Sequence, residues 1–274
     1  MRKTIVSILV ITMLATMHSC MMLKTADLRN GLSVEENSET KARGLLEEMA
    51  KAHNVEAWKA LETYNVIFRD EFYGFIGKSG SPYKQMNTRF SLNYIPGTFN
   101  GQLEFLNGKE QGTIWGVQDW HTYVKNEKGL KEKKDKDIRF WVPTYQYFIE
   151  LPNRIREATV VGYVGEKAID GINCYGVMAS WNTLEPQRDI DQYMLWINAE
   201  TKRLVKVEYT IRDIFKFISG AAYYQNYQAY DGIILPAEMP VESNLVKDGY
   251  LHKMSIEGFT ANKVSVESLL PLGE

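Results

Sequence analysis

The histidines that could carry acid–base chemistry are few and widely spaced in this chain of 274 residues. Asp119 precedes His121 closely enough for a carboxylate to orient an imidazole, but Trp120 and His121 should face opposite sides of a strand. His252 has no partner at the spacing of a metal site. We therefore interpret His121 as a surface histidine and expect no metal ligands.

Two pairs of neighbouring acids provide the carboxylates that a glycoside hydrolase would need. These pairs are Asp70 with Glu71 and Asp189 with Asp191. Glycoside hydrolases require two carboxylates at a defined separation across a cleft. Because the chain contains 34 acidic residues, close pairs are expected by chance. A hydrolase of envelope polymers is therefore the weakest of three hypotheses, after a binding protein and a non-catalytic scaffold.

Motifs for nucleophilic catalysis or phosphate binding are missing from the sequence. There is no Gly-x-Ser-x-Gly elbow and no His-Glu-x-x-His helix. Gly77-Lys78-Ser79 ends like a phosphate-binding loop, but Phe72 stands where the first glycine is required. Cys174 lies in a strand-like segment, so we expect a buried, inert thiol. The sequence predicts no catalytic residue, no cofactor and no enzymatic activity.

The N-terminal stretch, residues 1–20 (MRKTIVSILVITMLATMHSC), indicates export from the cytoplasm. Arg2 and Lys3 precede an apolar run of about a dozen residues, which is too short for a permanent membrane span. The Ser-Cys ending resembles the lipobox of bacterial lipoproteins, in which the cysteine becomes the lipid-modified first residue. Met17 and His18 depart from the usual box. An ordinary signal peptide with an incidental Cys20, or a buried apolar helix, are the alternatives.

This pattern predicts a signal peptide at residues 1–19, a lipidated tether at residues 20–36 and a folded domain at residues 37–274. The membrane is then a partner through the lipid on Cys20. No aspartate follows Cys20 directly. By resemblance to lipoprotein sorting rules, this predicts an outer-membrane anchor facing the periplasm. The net charge of −2 and the lack of a basic block argue against nucleic acid as a partner.

A helical period occurs in residues 38–61 and is followed by strand-like alternation. Within the helical part, His53-Asn54 is expected to divide the helix, with His53 as an ordinary helix-end residue. From Tyr64 onward, alternation and turn dipeptides predict about ten or eleven strands. We interpret the charged residues 126–136 as a solvated loop. Residues 138–157, which contain two prolines, are interpreted as a short aromatic helix or loop covering the sheet.

Two segments have a more distinctive pattern, residues 170–178 (DGINCYGVM) and residues 191–209 (DQYMLWINAETKRLVKVEY). The second predicts a hairpin with Tyr193, Leu195 and Ile197 on one face and Met194 and Trp196 on the other. Since both faces are bulky, the hairpin should lie centrally in a sheet. The two segments together resemble the outer-membrane lipoprotein-sorting family, the LolA/LolB-like group, over about residues 45–254.

The resemblance implies a mainly β (α+β) fold, a curved antiparallel half-barrel with the N-terminal helical segment packed on its concave side. It also implies a periplasmic lipoprotein that binds a lipid or a lipoprotein acyl chain in the half-barrel cavity. The lipobox departs from a soluble carrier and fits an anchored, LolB-like or paralogous protein better. A scaffold that contacts an envelope protein partner is the alternative.

Aromatic residues make up 12% of the chain and could line such a cavity. Burying an acyl chain gains about 0.8 kcal/mol per methylene, so an apolar lining would suffice for binding. The alternative is that these rings simply fill the core. The candidate lining residues are Phe72, Phe75, Trp115, Trp120, Phe140, Trp141, Tyr145 and Phe148.

Overall fold

The computed structural model describes residues 25–273. The predicted signal peptide and Cys20 lie outside the described residues. The strands are β1 (Tyr64–Phe72), β2 (Asn87–Tyr94), β3 (Gly101–Phe105), β4 (Ile114–Gln118), β5 (His121–Asn126), β6 (Gly129–Glu132), β7 (Val160–Ile169), β8 (Ile172–Ser180), β9 (Gln192–Asn198), β10 (Leu204–Thr210), β11 (Ser219–Tyr223), β12 (Gln225–Tyr230), β13 (Ile233–Ser243) and β14 (His252–Ala261).

All fourteen strands form one sheet in the order β6-β5-β4-β3-β2-β1-β14-β13-β11-β10-β9-β8-β7, with β12 paired to β13. Neighbouring strands run antiparallel. In the described part of the chain β6 and β7 end the order and are not paired, so the sheet is not closed. The predicted curved half-barrel fold is confirmed.

The count of ten or eleven strands was too low. β6 lies inside the charged segment that was predicted to be a loop, and all four of its residues are exposed. An edge strand without a buried face has no apolar alternation to reveal it. β11 consists largely of small residues, Ser-Gly-Ala-Ala-Tyr, which carry little strand signal.

Within residues 25–273, four α-helices accompany the sheet: α1 (Glu39–Ala52), α2 (Gly74–Gly80), α3 (Lys136–Arg154) and α4 (Val266–Leu269). Helix α1 buries Leu45, Leu46 and Met49 in the core that it shares with the sheet. It ends where predicted, because His53 caps it and Asn54 takes a left-handed backbone conformation at φ 51° before a 3₁₀ turn. The predicted N-terminal helical segment is confirmed.

Helix α3 corrects the prediction of a short helix or loop between the prolines, since it runs for 19 residues with both prolines inside. Asp135 caps its start by accepting hydrogen bonds from the next turn. Ile138, Val142, Tyr145 and Ile149 recur at helical spacing and are buried. Burial of this stripe outweighs a cost of about 3 kcal/mol for an interior proline.

We call the face of the sheet covered by α1 and α3 the inner face, and the opposite one the outer face. The β9–β10 hairpin has the predicted orientation: Leu195 and Ile197 belong to the main core, while Met194 and Trp196 belong to a smaller cluster on the outer face. The hairpin lies between β8 and β11, away from the sheet edges. Both predictions for this segment are confirmed.

The N-terminal segment, residues 25–36, crosses the outer face rather than hanging free as a tether. Ala26 N–H donates to the Lys216 carbonyl at 3.0 Å, and Glu35 N–H donates to the Tyr163 carbonyl at 2.8 Å. Leu28 is buried in the outer-face cluster, and the same cluster contains the buried Cys174. The apolar outer face of β7–β10 requires a cover, and this segment provides it.

The C-terminal segment, residues 262–273, covers the outer face of β3 and β4 through amide side chains. Gln102 donates to the Ser268 carbonyl at 2.6 Å, and Gln118 donates to the Gly273 carbonyl at 2.8 Å. Gln118 also accepts from the Leu272 N–H at 2.9 Å. Residues 25–36 thus cover the outer face of β7–β10, and residues 262–273 cover that of β3 and β4.

Candidate ligand-binding site

Helix α3 is fastened to the inner face by tyrosines that project from the strands. Tyr94 donates its hydroxyl to the Val142 carbonyl at 2.8 Å, and Tyr64 donates to Glu150 Oε1 at 2.8 Å. Tyrosine suits this role because its ring packs apolarly while its hydroxyl still finds a partner. The helix is therefore held by specific polar contacts as well as by packing.

The Asp70 cluster is the first buried polar group under α3. Asp70 accepts from the Tyr145 hydroxyl at 2.6 Å and lies 2.7 Å from His252 Nδ1. The Tyr83 and Tyr145 hydroxyls are 2.7 Å apart, and the His252 ring stacks on Phe72 at 4.8 Å. Burial, followed by the Asp70 charge, raises the pKa of both tyrosines well above the usual value. Their hydroxyls therefore stay protonated and keep donating.

The Glu150 cluster is the second. The carboxylate accepts from Arg154 Nε at 2.8 Å, Gln146 Nε2 at 2.8 Å and Gly97 N–H at 3.1 Å, besides the Tyr64 hydroxyl. Burial raises the pKa of Glu150, and the Arg154 guanidinium opposes that shift. These four donors allow a buried carboxylate to remain in the core.

The buried Asp70–His252 pair resembles half of a hydrolytic triad, in which a carboxylate orients an imidazole. No hydrogen bond joins His252 Nε2 to another residue in the described range, so a nucleophile is not in place. Asp70 faces the core, whereas Glu71 is only partly buried and lies 3.7 Å from Lys253. The predicted acid pair is thus divided between the two faces of β1.

The second acid pair does not converge on a cleft either. The Asp189 side chain is 89% exposed, whereas Asp191 accepts from the Arg212 N–H at 2.7 Å and the Thr210 hydroxyl at 3.0 Å. Burial raises the pKa of Asp191 while these donors oppose the shift. Asp191 therefore holds the β10 end in place, which is a structural role.

Four of the predicted lining residues gather under α3 around Tyr83. Ring centroids of Phe72, Trp115 and Trp141 lie 6.2, 5.7 and 6.2 Å from the Tyr83 ring, and Tyr145 bonds its hydroxyl. Sequence reasoning missed Tyr83 because it lies in the loop between α2 and β2. The sequence indicates Asp70 only as a member of an acid pair with Glu71. Its alternation with Phe68 and Phe72 is the signal that places it on the inner face.

The other predicted lining residues are dispersed. Phe140 packs edge-on against Trp141. Phe148, further along α3, has its ring centroid 4.9 Å from that of Tyr209. Phe75 is 84% exposed on α2. Whether the eight residues line a ligand cavity stays a prediction.

Trp120 belongs to a turn rather than to a strand. Asp119 and Trp120 both have positive φ, at 49° and 66°, and form the tight turn between β4 and β5. The Trp120 ring is 48% exposed and packs against Phe99. His121 is exposed, and its Nδ1 lies 2.8 Å from Glu132. The expectation of a surface histidine holds, but Trp120 does not point to the opposite face of a strand.

Partly buried aromatic rings flank α3 on both sides. Trp115 and Trp141 lie toward β1 and β4. Tyr193 lies on the other side, with its ring 5.5 Å from Tyr147 and 6.0 Å from Trp181. Between the two flanks, directly beneath the helix, the space is filled by buried side chains. Both margins of the helix thus present the partly accessible edges of aromatic rings.

A cavity of about 540 Å³ lies elsewhere, on the outer face. The strand residues Lys206, Glu208 and Glu242 line it together with Leu28 and Asn30 of the N-terminal segment. Lys206 lies 3.8 Å from each of the two glutamates, so charged groups neutralise one another there. This charged lining does not suit an acyl chain.

The described range, residues 25–273, contains neither a metal-binding group of side chains nor a membrane-spanning helix. In that range no three His, Cys, Asp or Glu side chains are grouped so as to hold a metal ion. None of the helices described is long and apolar enough to cross a bilayer.

Solved structures show what the fold is similar to. A putative outer-membrane lipoprotein-sorting protein domain from Vibrio parahaemolyticus has a TM-score of 0.55 at 10% identity, covering 85% of this chain and 98% of that one. A LolA superfamily protein from Nitrosomonas europaea has a TM-score of 0.53 at 12% identity, covering 83% and 96%. A DUF1329 family protein from Desulfovibrio piger has a TM-score of 0.54 at 12% identity, covering 84% and 96%.

The sequence itself matches no protein-family model and no curated protein. At such low identity, the structural matches show that the chain has a LolA-like fold. This confirms at the level of fold the resemblance seen in residues 170–209.

Proposed function

We propose that this chain is an envelope protein, held at the periplasmic face of the outer membrane by a lipid on Cys20, that binds an apolar ligand between α3 and the inner face. The ligand is a lipid or the acyl chain of a lipoprotein. The observation that carries the proposal is a LolA-like half-barrel whose inner aromatic surface is covered mainly by one long helix, with partly buried rings along both flanks.

Ligand entry requires α3 to move, because side chains fill the space beneath it. A helix keeps its backbone hydrogen bonds when it separates from a sheet, so α3 can move as a unit. Each methylene of an acyl chain that replaces α3 on the inner face gains about 0.8 kcal/mol. A long chain can therefore compensate for the contacts that α3 loses, and the ligand shifts the population toward an open form.

The proposed activity is binding without catalysis. The groups under α3 that could do chemistry, Asp70, His252 and Glu150, are engaged in holding the helix to the sheet. A binding protein needs only apolar area and a cover that opens; the inner face supplies the area, and α3 is the proposed cover.

Native mass spectrometry of the full chain purified from membranes in mild detergent, combined with lipid extraction, tests the proposal. We expect a co-purifying lipid beyond the anchor itself. Trp115→Ala and Trp141→Ala should reduce its amount, because each removes a ring at the margin of α3. Ile172→Ala is the control and should leave the amount unchanged, since Ile172 is exposed at the start of β8, on the outer face with Cys174. Lipid absent from the parent chain, or unaffected by all three substitutions, would contradict the proposal.

A further inference from the structure

Exposed apolar side chains are concentrated at one end of the sheet. They lie in three loops: the α2 loop between β1 and β2, residues 211–218 between β10 and β11, and residues 244–251 between β13 and β14. We call this set the apolar rim; its members are Tyr73, Phe75, Ile76, Ile214, Phe215, Leu245 and Tyr250.

The three loops form one continuous surface. The strand order β2-β1-β14-β13-β11-β10 places them side by side, and antiparallel pairing brings them to the same end. Tyr73 N–H donates to the Leu251 carbonyl at 2.9 Å, which joins the α2 loop to residues 244–251. Asn244 donates to the Phe217 carbonyl at 2.7 Å and accepts from the Ser219 N–H at 3.1 Å, which joins residues 244–251 to residues 211–218.

The N-terminal segment enters the fold at this same rim. Arg212, which is buried, donates to the carbonyls of both Ala26 and Lys216, and Ala26 N–H donates back to the Lys216 carbonyl. These bonds hold the backbone at Ala26 against the loop that carries Phe215. Five residues lie between Cys20 and Ala26, and the six residue steps reach at most about 20 Å.

We propose that the apolar rim docks into the headgroup region of a phospholipid bilayer and orients the domain on the membrane. The inference rests on the proposed lipid anchor at Cys20, which would hold the rim within about 20 Å of the bilayer surface. At that distance the effective concentration of bilayer is high, so a weak surface affinity is sufficient. Apolar side chains gain about 25 cal/mol for each Å² removed from water.

Charge does not drive this docking. Lys216 and Lys247 lie in the rim loops beside Asp213 and Asp248. Lys84 of the α2 loop pairs with Glu110, which leaves Lys78 as added positive charge. One lysine attracts anionic lipid only weakly compared with a polybasic segment. The rim is also spread over three loop tips rather than lining a groove, which suits a flat bilayer better than an inserted peptide.

Nitroxide labels on the acylated full chain, reconstituted in phosphatidylethanolamine–phosphatidylglycerol vesicles, test the docking. One label is placed by Lys216→Cys at the rim. The matched control, Glu200→Cys, lies at the other end of β10, about 20 Å away. Native Cys174 is buried and should not react. Power saturation should show that the rim label gains access to oxygen and loses access to an aqueous nickel chelate, while the Glu200→Cys label stays aqueous.

A second variant separates docking from anchoring. Ile214→Ser combined with Phe215→Ser should return the Lys216→Cys label to an aqueous environment while the chain still floats with the vesicles. If both labels in the parent chain are aqueous although the chain floats, the docking is refuted and the anchor stands. A chain that does not float refutes the anchor and the docking together. Protection of the rim label only after a second envelope protein is added would assign the rim to that protein and refute the bilayer.

Discussion

The inner and outer faces of the sheet are covered in different ways. On the inner face, α3 satisfies its own backbone and is fastened by side chains such as Tyr94 and Tyr145. On the outer face, the N-terminal segment has no helix of its own and depends on backbone bonds to the sheet and on the burial of Leu28. An intact helix can leave its sheet more easily than a segment whose backbone bonds belong to the sheet.

The two covers also differ in the chemistry that they bury. The inner cover buries the carboxylates of Glu150 and Asp70 together with Arg154, whereas the N-terminal segment closes over apolar residues such as Met178 and Trp196, with Arg212 as a buried cation at its Ala26 end. Stability of the inner cover should therefore depend on paired charges and on pH. Stability of the outer cover should depend on packed volume. Four substitutions test this difference.

Loss of the buried cation should have the largest effect. Arg154→Met leaves Glu150 in the core without its ion-pair partner, and breaking such a pair typically costs about 3–5 kcal/mol. Urea unfolding measures the loss. The control is Arg156→Met, whose partner Glu47 is exposed, and which should cost no more than about 1 kcal/mol. Equal losses for the two variants would show that the inner ion pair is not special.

Removal of packed volume from the outer cover should cause the second-largest loss in the free energy of unfolding. Leu28→Ala opens a void in the outer-face cluster and should lower the free energy of unfolding by about 2–3 kcal/mol. The same loss should be measured at pH 7 and pH 5, since no charge is involved. Leu32→Ala, at a half-buried position in the same segment, should cost less. A loss that varies with pH would contradict an apolar cover.

Acid should weaken the inner face through His53. Its imidazole accepts from the Leu204 N–H and contacts the Ile234 carbonyl, and burial lowers its pKa to about 4 from the usual 6.5. Because the folded pKa is the lower one, the stability is present above pH 6.5 and is lost as the pH falls toward 4. At pH 5 the loss is about 2 kcal/mol.

Unfolding of His53→Gln at pH 7 and pH 5 measures this contribution. The variant should lose less stability on acidification than the parent chain, whereas His121→Gln, at an exposed position, should behave like the parent. The raised pKa of Glu150 acts in the opposite direction, because the folded state then binds the proton more tightly. The informative quantity is therefore the difference between variant and parent. Identical pH slopes for parent and His53→Gln would refute the assignment.

Tyr145→Phe should have the smallest effect on the free energy of unfolding, and it is the substitution that tests ligand entry most directly. Tyr145→Phe removes one donor from buried Asp70 and should cost about 1–2 kcal/mol. Because it loosens α3, it should also speed lipid exchange, measured with a fluorescent fatty acid. Tyr123→Phe removes an outer-face hydroxyl that bonds Gln102, and it should leave lipid exchange unchanged. Equal exchange rates in the two variants would show that α3 does not control entry.

Local sequence patterns predict an element correctly where its buried face leaves an uninterrupted apolar pattern. The spacing of Leu45, Leu46 and Met49 predicted α1, and alternation in residues 191–209 predicted the central hairpin with its correct faces. They failed for β6, which buries no face, and for α3, where Pro143 concealed a helical stripe. A proline costs about 3 kcal/mol in an isolated helix, and only packing on a sheet can offset that cost.

By itself, the sequence determined the order of helix and strands, because alternating apolar residues specify which faces must be buried, and the resemblance of residues 170–178 and 191–209 implied the LolA-like half-barrel. Only the tertiary structure decided how those faces are covered and which polar groups meet beneath α3. Asp70, Tyr145 and His252 are far apart in sequence and come together only through strand pairing and the path of α3. The apolar rim likewise exists only because strand order places three distant loops side by side. Such proximity is a property of register and crossing path, which no local pattern encodes.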